Sequence, residues 1–342
     1  MSDQRVRMKD IAEAAGVSTV AVSKALAGYS GVSESMRARI VALAKEMGYE
    51  PVAERRKRKR TSFNIGVLVP EGYLVSKEKF YSLLLQHLTE EAGRCSSNVT
   101  TEIIGPQMEK ECSVPMVVRE DNMDGLVLLG SFGKEYLEML FAKSRVPLVF
   151  LGFMPERGNA DCVISDGFYA ACQITGYLLN RGHRRIAFVG RILETPLYME
   201  QYLGYVRAMT EHGIPVRQEW VVTGKYLETM KKTPAPPEEM PDAFVCGSDV
   251  TAGLLIEKLA DWGVRCPEDV SVVTFGNPGV SPGQEIHLAT YELDGKEMAR
   301  KAVSTLLRRM NGEYCKKKVS IVTGQFREGD SVKIIKDTGA AE

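Results

Sequence analysis

At the start of the chain, apolar residues recur with the period of a helix. In Met8–Ala15, Ile11 and Ala15 stand four apart on one face. Gly16-Val17-Ser18 then breaks the pattern: Gly16 supplies a permissive turn backbone and Ser18 a good N-cap for the next helix. That second helix runs from Thr19 to about Ala27, with Val22 and Leu26 aligned at i, i+4. Gly28 and Gly31 mark a loop, and Ser33 is placed to cap a third helix. There Met36, Ile40, Leu43 and Met47 repeat at i, i+4, i+7 and i+11 before Gly48 ends the stripe.

From Phe63 the pattern changes. Short, nearly continuous apolar runs at 65–69, 125–129, 147–151, 186–190, 243–246 and 270–275 read as strands. Amphipathic stretches at 80–92, 134–143, 166–180, 200–212, 250–262 and 295–311 read as helices between them. On the first of these, Phe80, Leu83, Leu84 and Leu88 share a face. Strands that are apolar on both faces and alternate with helices imply parallel sheets covered on both sides. So many elements over 63–342 imply two such lobes. Ligands of open parallel sheets bind beyond the carboxyl ends of the strands, which makes a cleft between the lobes the natural site.

Composition narrows the class. The 342 residues are 44% apolar and 26% charged, which excludes a disordered tail, a collagen-like fibre and a small disulfide scaffold. No apolar run approaches the ~20 residues of a membrane helix. The opening MSDQRVRMKD has no apolar core of a signal peptide. Seven scattered cysteines without a C-x-x-C pair fit a reduced, cytoplasmic chain. The four histidines show no metal-binding spacing, so neither metal nor cofactor is expected. Asn98-Val99-Thr100 matches a glycosylation triplet, which has no meaning without a secretory route.

A net charge of zero hides a split. Residues 1–62 carry 13 Lys and Arg against 7 Asp and Glu, and the remainder 31 against 37. A basic head on an acidic body points to a small module that meets a polyanion. Two short helices around a Gly-containing turn, closed by a third, is the plan of a helix-turn-helix, whose second helix enters the major groove. On that helix Thr19, Val20, Ser23 and Lys24 are not needed for the core. Lys24 can donate to guanine, Val20 and the Thr19 methyl can meet a thymine methyl, and Ser18, Thr19 and Ser23 suit phosphate contacts. From pattern alone, a three-helix protein-interaction domain with a solvated polar face is the alternative.

The string Met8-Lys9-Asp10-Ile11-Ala12-Glu13-Ala14-Ala15-Gly16-Val17-Ser18 bears a family likeness, as do Val22-Ser23-Lys24-Ala25-Leu26 and Val32-Ser33. Together they resemble the headpiece of the lactose-repressor (LacI-type) family of bacterial transcription regulators, over 6–51 almost without gaps. Ala27 departs from it, standing where the family usually has Asn. Tyr49-Glu50-Pro51 closes the head as the family does. The family then forms a short hinge helix whose leucine wedges into the minor groove. Here the stretch reads Val52-Ala53-Glu54-Arg55-Arg56-Lys57-Arg58-Lys59-Arg60, with Arg58 in the leucine place. An arginine cannot unstack bases as an apolar wedge does, but it can follow the negative potential of a narrow minor groove. Arg55, Arg56 and Arg58 therefore join the candidate DNA-binding residues, in a linker (52–62) that binds electrostatically with little kinking. A solvated basic tether is the competing reading.

The likeness continues through Asp166-Gly167-Phe168-Tyr169-Ala170-Ala171, Gly182-His183-Arg184-Arg185, Gly204-Tyr205, Ser248-Asp249 and Val270–Phe275. It implies an α/β, two-lobed, periplasmic-binding-protein-like effector domain behind the all-α head, crossed three times by the chain. The expected division is a head at 1–51, lobe 1 at about 63–163 and 292–323, and lobe 2 at about 164–291 and 324–342. By matching position, the effector would meet Phe80, Tyr81, Asp166, Gln201, Tyr226, Ser248 and Asn277. Each has a plainer reading: Phe80 and Tyr81 as lobe core, Asp166, Ser248 and Asp249 as helix caps, His183 as a turn anchor. Gln201 stands where the family usually has Arg, Ser248 replaces the usual Asn, and Gly276-Asn277 replaces Asp-Asp. Losing the arginine and the first aspartate together leaves no unpaired buried charge. It implies a neutral or less polar ligand, or none.

No dinucleotide fingerprint, phosphate loop or nucleophile elbow is present, so the chain is expected not to be an enzyme. The expected partners are double-stranded operator DNA, a small-molecule effector and a second copy in a homodimer. The alternatives are a DNA-binding regulator set by a protein partner or by none, and an enzyme or solute-binding protein that carries a basic head, which the helix-turn-helix pattern speaks against. Replacing the cations of Arg55–Arg60 with Gln should flatten the dependence of DNA affinity on salt, because each phosphate contact releases counterions. An unchanged steep slope in binding titrations would rule those contacts out.

Overall fold

The computed structural model describes residues 8–27, 32–47, 62–75, 79–120, 122–156, 160–223, 236, 238–276, 286–313 and 318–335. The chain forms two compact units, Met1–Thr61 and Ser62–Glu342.

In the first unit, α1 (Met8–Ala15), α2 (Thr19–Ala27) and α3 (Glu34–Glu46) close on one small core. Ile11, Ala12, Ala15, Val22, Ala25, Ile40 and Ala44 are buried there. Val17, Leu26, Val32, Met36, Leu43 and Met47 pack around them, half-buried. The stripes read from the sequence are therefore the inner faces; they omit Ala12, Ala25 and Ala44, whose small side chains carry little apolar signal. Gly16 adopts φ +69°, the left-handed conformation that costs glycine least, and so turns the chain between α1 and α2. Ser18 Oγ accepts the Ala21 N–H at 3.2 Å and Ser33 Oγ the Met36 N–H at 3.4 Å, each satisfying a donor that a helix start leaves open.

Among the described residues the second unit holds two six-stranded sheets. The first sheet contains β1 (Asn64–Pro70), β2 (Asn98–Ile104), β3 (Gly125–Leu129), β4 (Leu148–Leu151), β5 (Asp161–Ser165) and β11 (Val319–Val322). Its order is β11-β5-β4-β3-β1-β2, parallel throughout. The second contains β6 (Ile186–Gly190), β7 (Val221–Thr223), β8 (Ala243–Cys246), β9 (Ser271–Gly276), β10 (Ala289–Glu292) and β12 (Gln325–Arg327). Its order is β12-β10-β9-β8-β6-β7, with only β12 antiparallel to its neighbour. The central strands β3, β6 and β8 are buried at every position, as strands covered on both faces must be.

The chain changes sheets three times: after β5, after β10, and between β11 and β12. The helix Gly295–Met310 follows the second crossing and returns Met298, Ala299, Ala302, Val303 and Leu306 to the core of the first lobe. Its far end is tied down by a buried ion pair: Arg309 Nε and Nη2 donate to the Asp161 carboxylate at 2.7 and 3.1 Å. Lys318 N–H adds a third donor at 3.2 Å, so β5, the helix and the start of β11 meet at one carboxylate. In the second lobe, His183 is fully buried. Its Nδ1 lies 3.3 Å from Asp242 Oδ1 and its Nε2 3.2 Å from the Lys333 carbonyl oxygen, which makes it the anchor of a turn. Burial pushes the Asp242 carboxyl up, but hydrogen bonds from His183 and from the backbones of Arg185 and Arg184 outweigh it and hold it below its usual range.

Several elements differ from the sequence reading. The helix expected at 200–212 spans Pro196–Glu211 and starts earlier, because Thr195 Oγ1 accepts the Tyr198 N–H at 3.2 Å and Pro196 occupies the first turn. Strands β2, β5, β7, β10, β11 and β12 are not among those the pattern predicts. β2 is an edge strand whose Asn98, Thr100 and Thr101 face solvent, so its apolar signal is weak.

The Asp161–Arg309 pair yields a stability test. Asp161→Asn strands a buried guanidinium and should cost ~3–5 kcal/mol in urea unfolding of the full chain. Asp161→Leu combined with Arg309→Met should recover much of that loss, since neither charge then remains buried.

Candidate DNA interface and effector cleft

The N-cap at Ser18 and the burial of Val22 and Ala25 set the rotation of α2. That rotation leaves Ser18, Thr19, Val20, Ser23 and Lys24 exposed, all five of the residues on or beside this helix expected to touch DNA. Val20 keeps 62% of its surface accessible, unusual for an apolar side chain in so small a unit. The face holds three hydroxyl groups suited to phosphate, two methyl-bearing side chains suited to thymine, and one cation. Arg55, Arg56 and Arg58 lie outside the described residues.

In the second unit, two neighbouring compartments lie at the carboxyl ends of the strands. The inner one encloses only about 40 Å³ and is lined by Phe80, Tyr81, Gln201 and Ser248, together with Tyr198, Asp249, Phe275 and Leu293. Four of the expected effector residues thus meet at one place. Phe80 packs on the cores of both lobes, so it lies across their junction as well as beside the cavity. Tyr81 is core of the first lobe and stacks edge-on against Tyr73 with ring centres 4.3 Å apart. Gln201 is 1% exposed, and its Oε1 has no hydrogen-bond partner among the described residues. A buried acceptor left unpaired costs free energy and calls for a donor.

Ser248 has the capping role as well as the lining one: its Oγ accepts the Thr251 N–H at 3.2 Å at the start of the helix Asp249–Asp261. Burial pushes the neighbouring Asp249 carboxyl up, against the opposing pull of backbone N–H donors and the charge of Lys79. Asp166 does not line either compartment. Its carboxylate accepts the Tyr169 N–H at 3.1 Å and caps the helix Gly167–Asn180 at the first crossing. Tyr226 and Asn277 lie outside the described residues.

The outer compartment, about 410 Å³, shares Tyr81, Thr195 and Tyr198 with the inner one. Its other walls were not legible in the sequence. Glu71, Tyr73, Glu109 and Ser131 come from the first lobe, Arg191 and Glu194 from the second. Each stands within a few residues of a strand end, the one signal that could have marked it. Tyr73 Oη and Ser131 Oγ lie 2.6 Å apart, and Arg191 Nη1 donates to Glu194 Oε2 at 3.0 Å.

Among the described residues, no group of His, Cys, Asp and Glu could hold a metal ion. No described helix is long and apolar enough to cross a membrane.

A three-helix head with an exposed polar face and a two-lobed α/β body around a cleft is the architecture of an effector-responsive DNA-binding regulator. The model of bacterial regulatory proteins of the lacI family matches residues 7–52, and that of a periplasmic binding protein-like domain matches 175–332. The HTH-type transcriptional repressor PurR of Vibrio atlanticus (strain LGP32) is 28% identical over 96% of this chain and 99% of its own length. Catabolite control protein A of Priestia megaterium is 28% identical over 90% of this chain and 93% of its own. In fold, the chain is similar to the transcriptional regulator CelR in its cellobiose complex, with TM-score 0.67, 22% identity, and 96% and 100% of the two chains covered. The lac repressor dimer bound to operator gives TM-score 0.66, 19% identity and the same coverage. The chain thus joins a lacI-type DNA-binding head to a periplasmic-binding-protein-like domain, and is a DNA-binding transcriptional regulator with an effector-binding domain.

The cap that orients α2 can be tested directly. Ser18→Ala should lower the stability of the head by ~0.5–2 kcal/mol. The effect should appear as faster amide exchange in Thr19–Ala27, while the body is unaffected.

Proposed function

We propose that this regulator is a repressor: two copies pair through their effector-binding units and offer two heads to adjacent half-sites of a pseudo-palindromic operator. A small molecule bound in the cleft favours one degree of lobe closure and thereby changes operator affinity. The observation that carries the DNA part is the orientation of α2, with Val22 and Ala25 buried and Thr19, Val20, Ser23 and Lys24 exposed. Lys24 serves as a base-reading donor, Val20 and Thr19 as methyl contacts, and Ser18 and Ser23 as phosphate contacts. The names of the relatives, repressor and catabolite control protein, support control of transcription over catalysis. The chain works in the cytoplasm and needs no cofactor.

A second reading keeps the DNA function but drops the small molecule, leaving the state of the protein to a partner protein. It draws on the size of the inner compartment, about 40 Å³, which holds little more than one water. Thermal unfolding against a metabolite panel separates the two, since a ligand at 100 times its Kd adds ~2.7 kcal/mol.

Selection of bound fragments from a random duplex library with the full chain should return a two-fold symmetric sequence. Lys24→Ala should then cost ~1–3 kcal/mol at one base pair per half-site and relax the preference there. An equal loss on every duplex would assign Lys24 to phosphate instead.

A further inference from the structure

We infer that the effector is a small organic cation, an amine with an apolar body, held in the outer compartment of the cleft. The inference rests on the effector-binding reading above and assigns the chemistry of its ligand.

Charge comes first. Among the described residues, three carboxylates, Glu71, Glu109 and Glu194, line the compartment against one guanidinium, Arg191. Arg191 is engaged with Glu194 at 3.0 Å. Glu109 accepts a backbone N–H from Gly133, and no cationic side chain among the described residues pairs with Glu109 or Glu71. An anion entering here meets like charge in a cavity walled by protein, where screening is weaker than in bulk water.

The second observation is independent of that charge. Gln201 Oε1 is buried, lines the inner compartment and has no donor among the described residues. Tyr81, Thr195 and Tyr198 border both compartments, so the outer one adjoins the one that holds this acceptor. The hydroxyls of Tyr73 and Ser131 are engaged with each other at 2.6 Å. The site thus presents acceptors in excess of donors. A polyol, whose hydroxyls need both, is matched less well than an ammonium, which has donors only.

The walls complete the match. Tyr73, Tyr81 and Tyr198 give the compartment aromatic surface, which suits an apolar body and attracts a cation over a ring face. The volume of about 410 Å³ accommodates a molecule of roughly ten heavy atoms with room to spare. An acidic outer wall also reconciles the loss of the Arg and Asp pair with a polar ligand.

Calorimetric titration of the full-length protein tests this with phenethylamine, tryptamine and putrescine against phenethyl alcohol, phenylacetate and cellobiose. The aromatic amines should bind about tenfold more tightly than the alcohol, equivalent to ~1.4 kcal/mol, and phenylacetate more weakly still. Glu71→Gln with Glu109→Gln keeps the acceptor atoms but removes the charge, and should abolish the preference for amine over alcohol. Gln201→Met should weaken amine binding severalfold. The inference is overturned if no amine binds at millimolar concentration, if the alcohol, phenylacetate or cellobiose binds as tightly, or if the double variant keeps its preference. Binding of the selected duplex is measured on the same protein without ligand. Its persistence when the amines fail sinks only the ligand chemistry, whereas its absence sinks the regulator reading itself.

Discussion

Everything that reaches the cleft does so because the chain changes sheets three times. Parallel strands end on the same side of their sheet, and each crossing starts from a strand end, so the carboxyl ends of both sheets border one space. Glu71, Ser131, Arg191, Gly247, Gly276 and Leu293 all stand at or just beyond such ends, on strands far apart in sequence. The constraint is enforced by packing as well as topology. The helix after the second crossing buries five side chains in the first lobe, and the Asp161–Arg309 pair fastens its far end to the strand of the first crossing. Phe80 then packs against the cores of both lobes. A change in lobe closure must therefore disturb a side chain that also lines the inner compartment, which gives the cavity and the conformation a shared element.

The head obeys a simpler rule. A helix of nine residues cannot be stable alone, so α2 exists only because its inner face is buried by α1 and α3. Once Val22 and Ala25 point inward, the hydroxyls, the valine and the lysine point outward. Folding and the proposed DNA contacts therefore divide the same short helix by face. The cap at Ser18 serves both, because it starts the helix and so fixes which residues fall on each side.

Close approach of backbones sets the second lobe. A Cβ on Gly204 would collide with the Phe168 carbonyl oxygen, so the helices Gly167–Asn180 and Pro196–Glu211 can approach this closely only with glycine at that position. Their contact places Gln201 against the cleft, and Gly247 leaves it room: a side chain at 247 would press on Tyr198 and the Gln201 amide. Gln201 and Tyr198 share a helix, and a sequence pattern that begins this helix at residue 200 cannot show Tyr198 as a cleft residue.

The sequence alone determined what is periodic or ordered along the chain. It held the three head helices with their caps, the alternation that makes two parallel α/β lobes, the family signature, and four of the residues that meet in the inner compartment. These are local patterns, set by burial on one face and by backbone preference at turns, and they survive translation from string to structure. Packing in three dimensions, not order along the chain, leaves the cap Asp166 outside both compartments, gives Gln201 a buried oxygen without a partner among the described residues, and gathers Glu71, Glu109 and Glu194 around one cavity. Separation along the chain explains the difference: residues gathered from the ends of separate strands leave no periodic trace in the sequence that carries them.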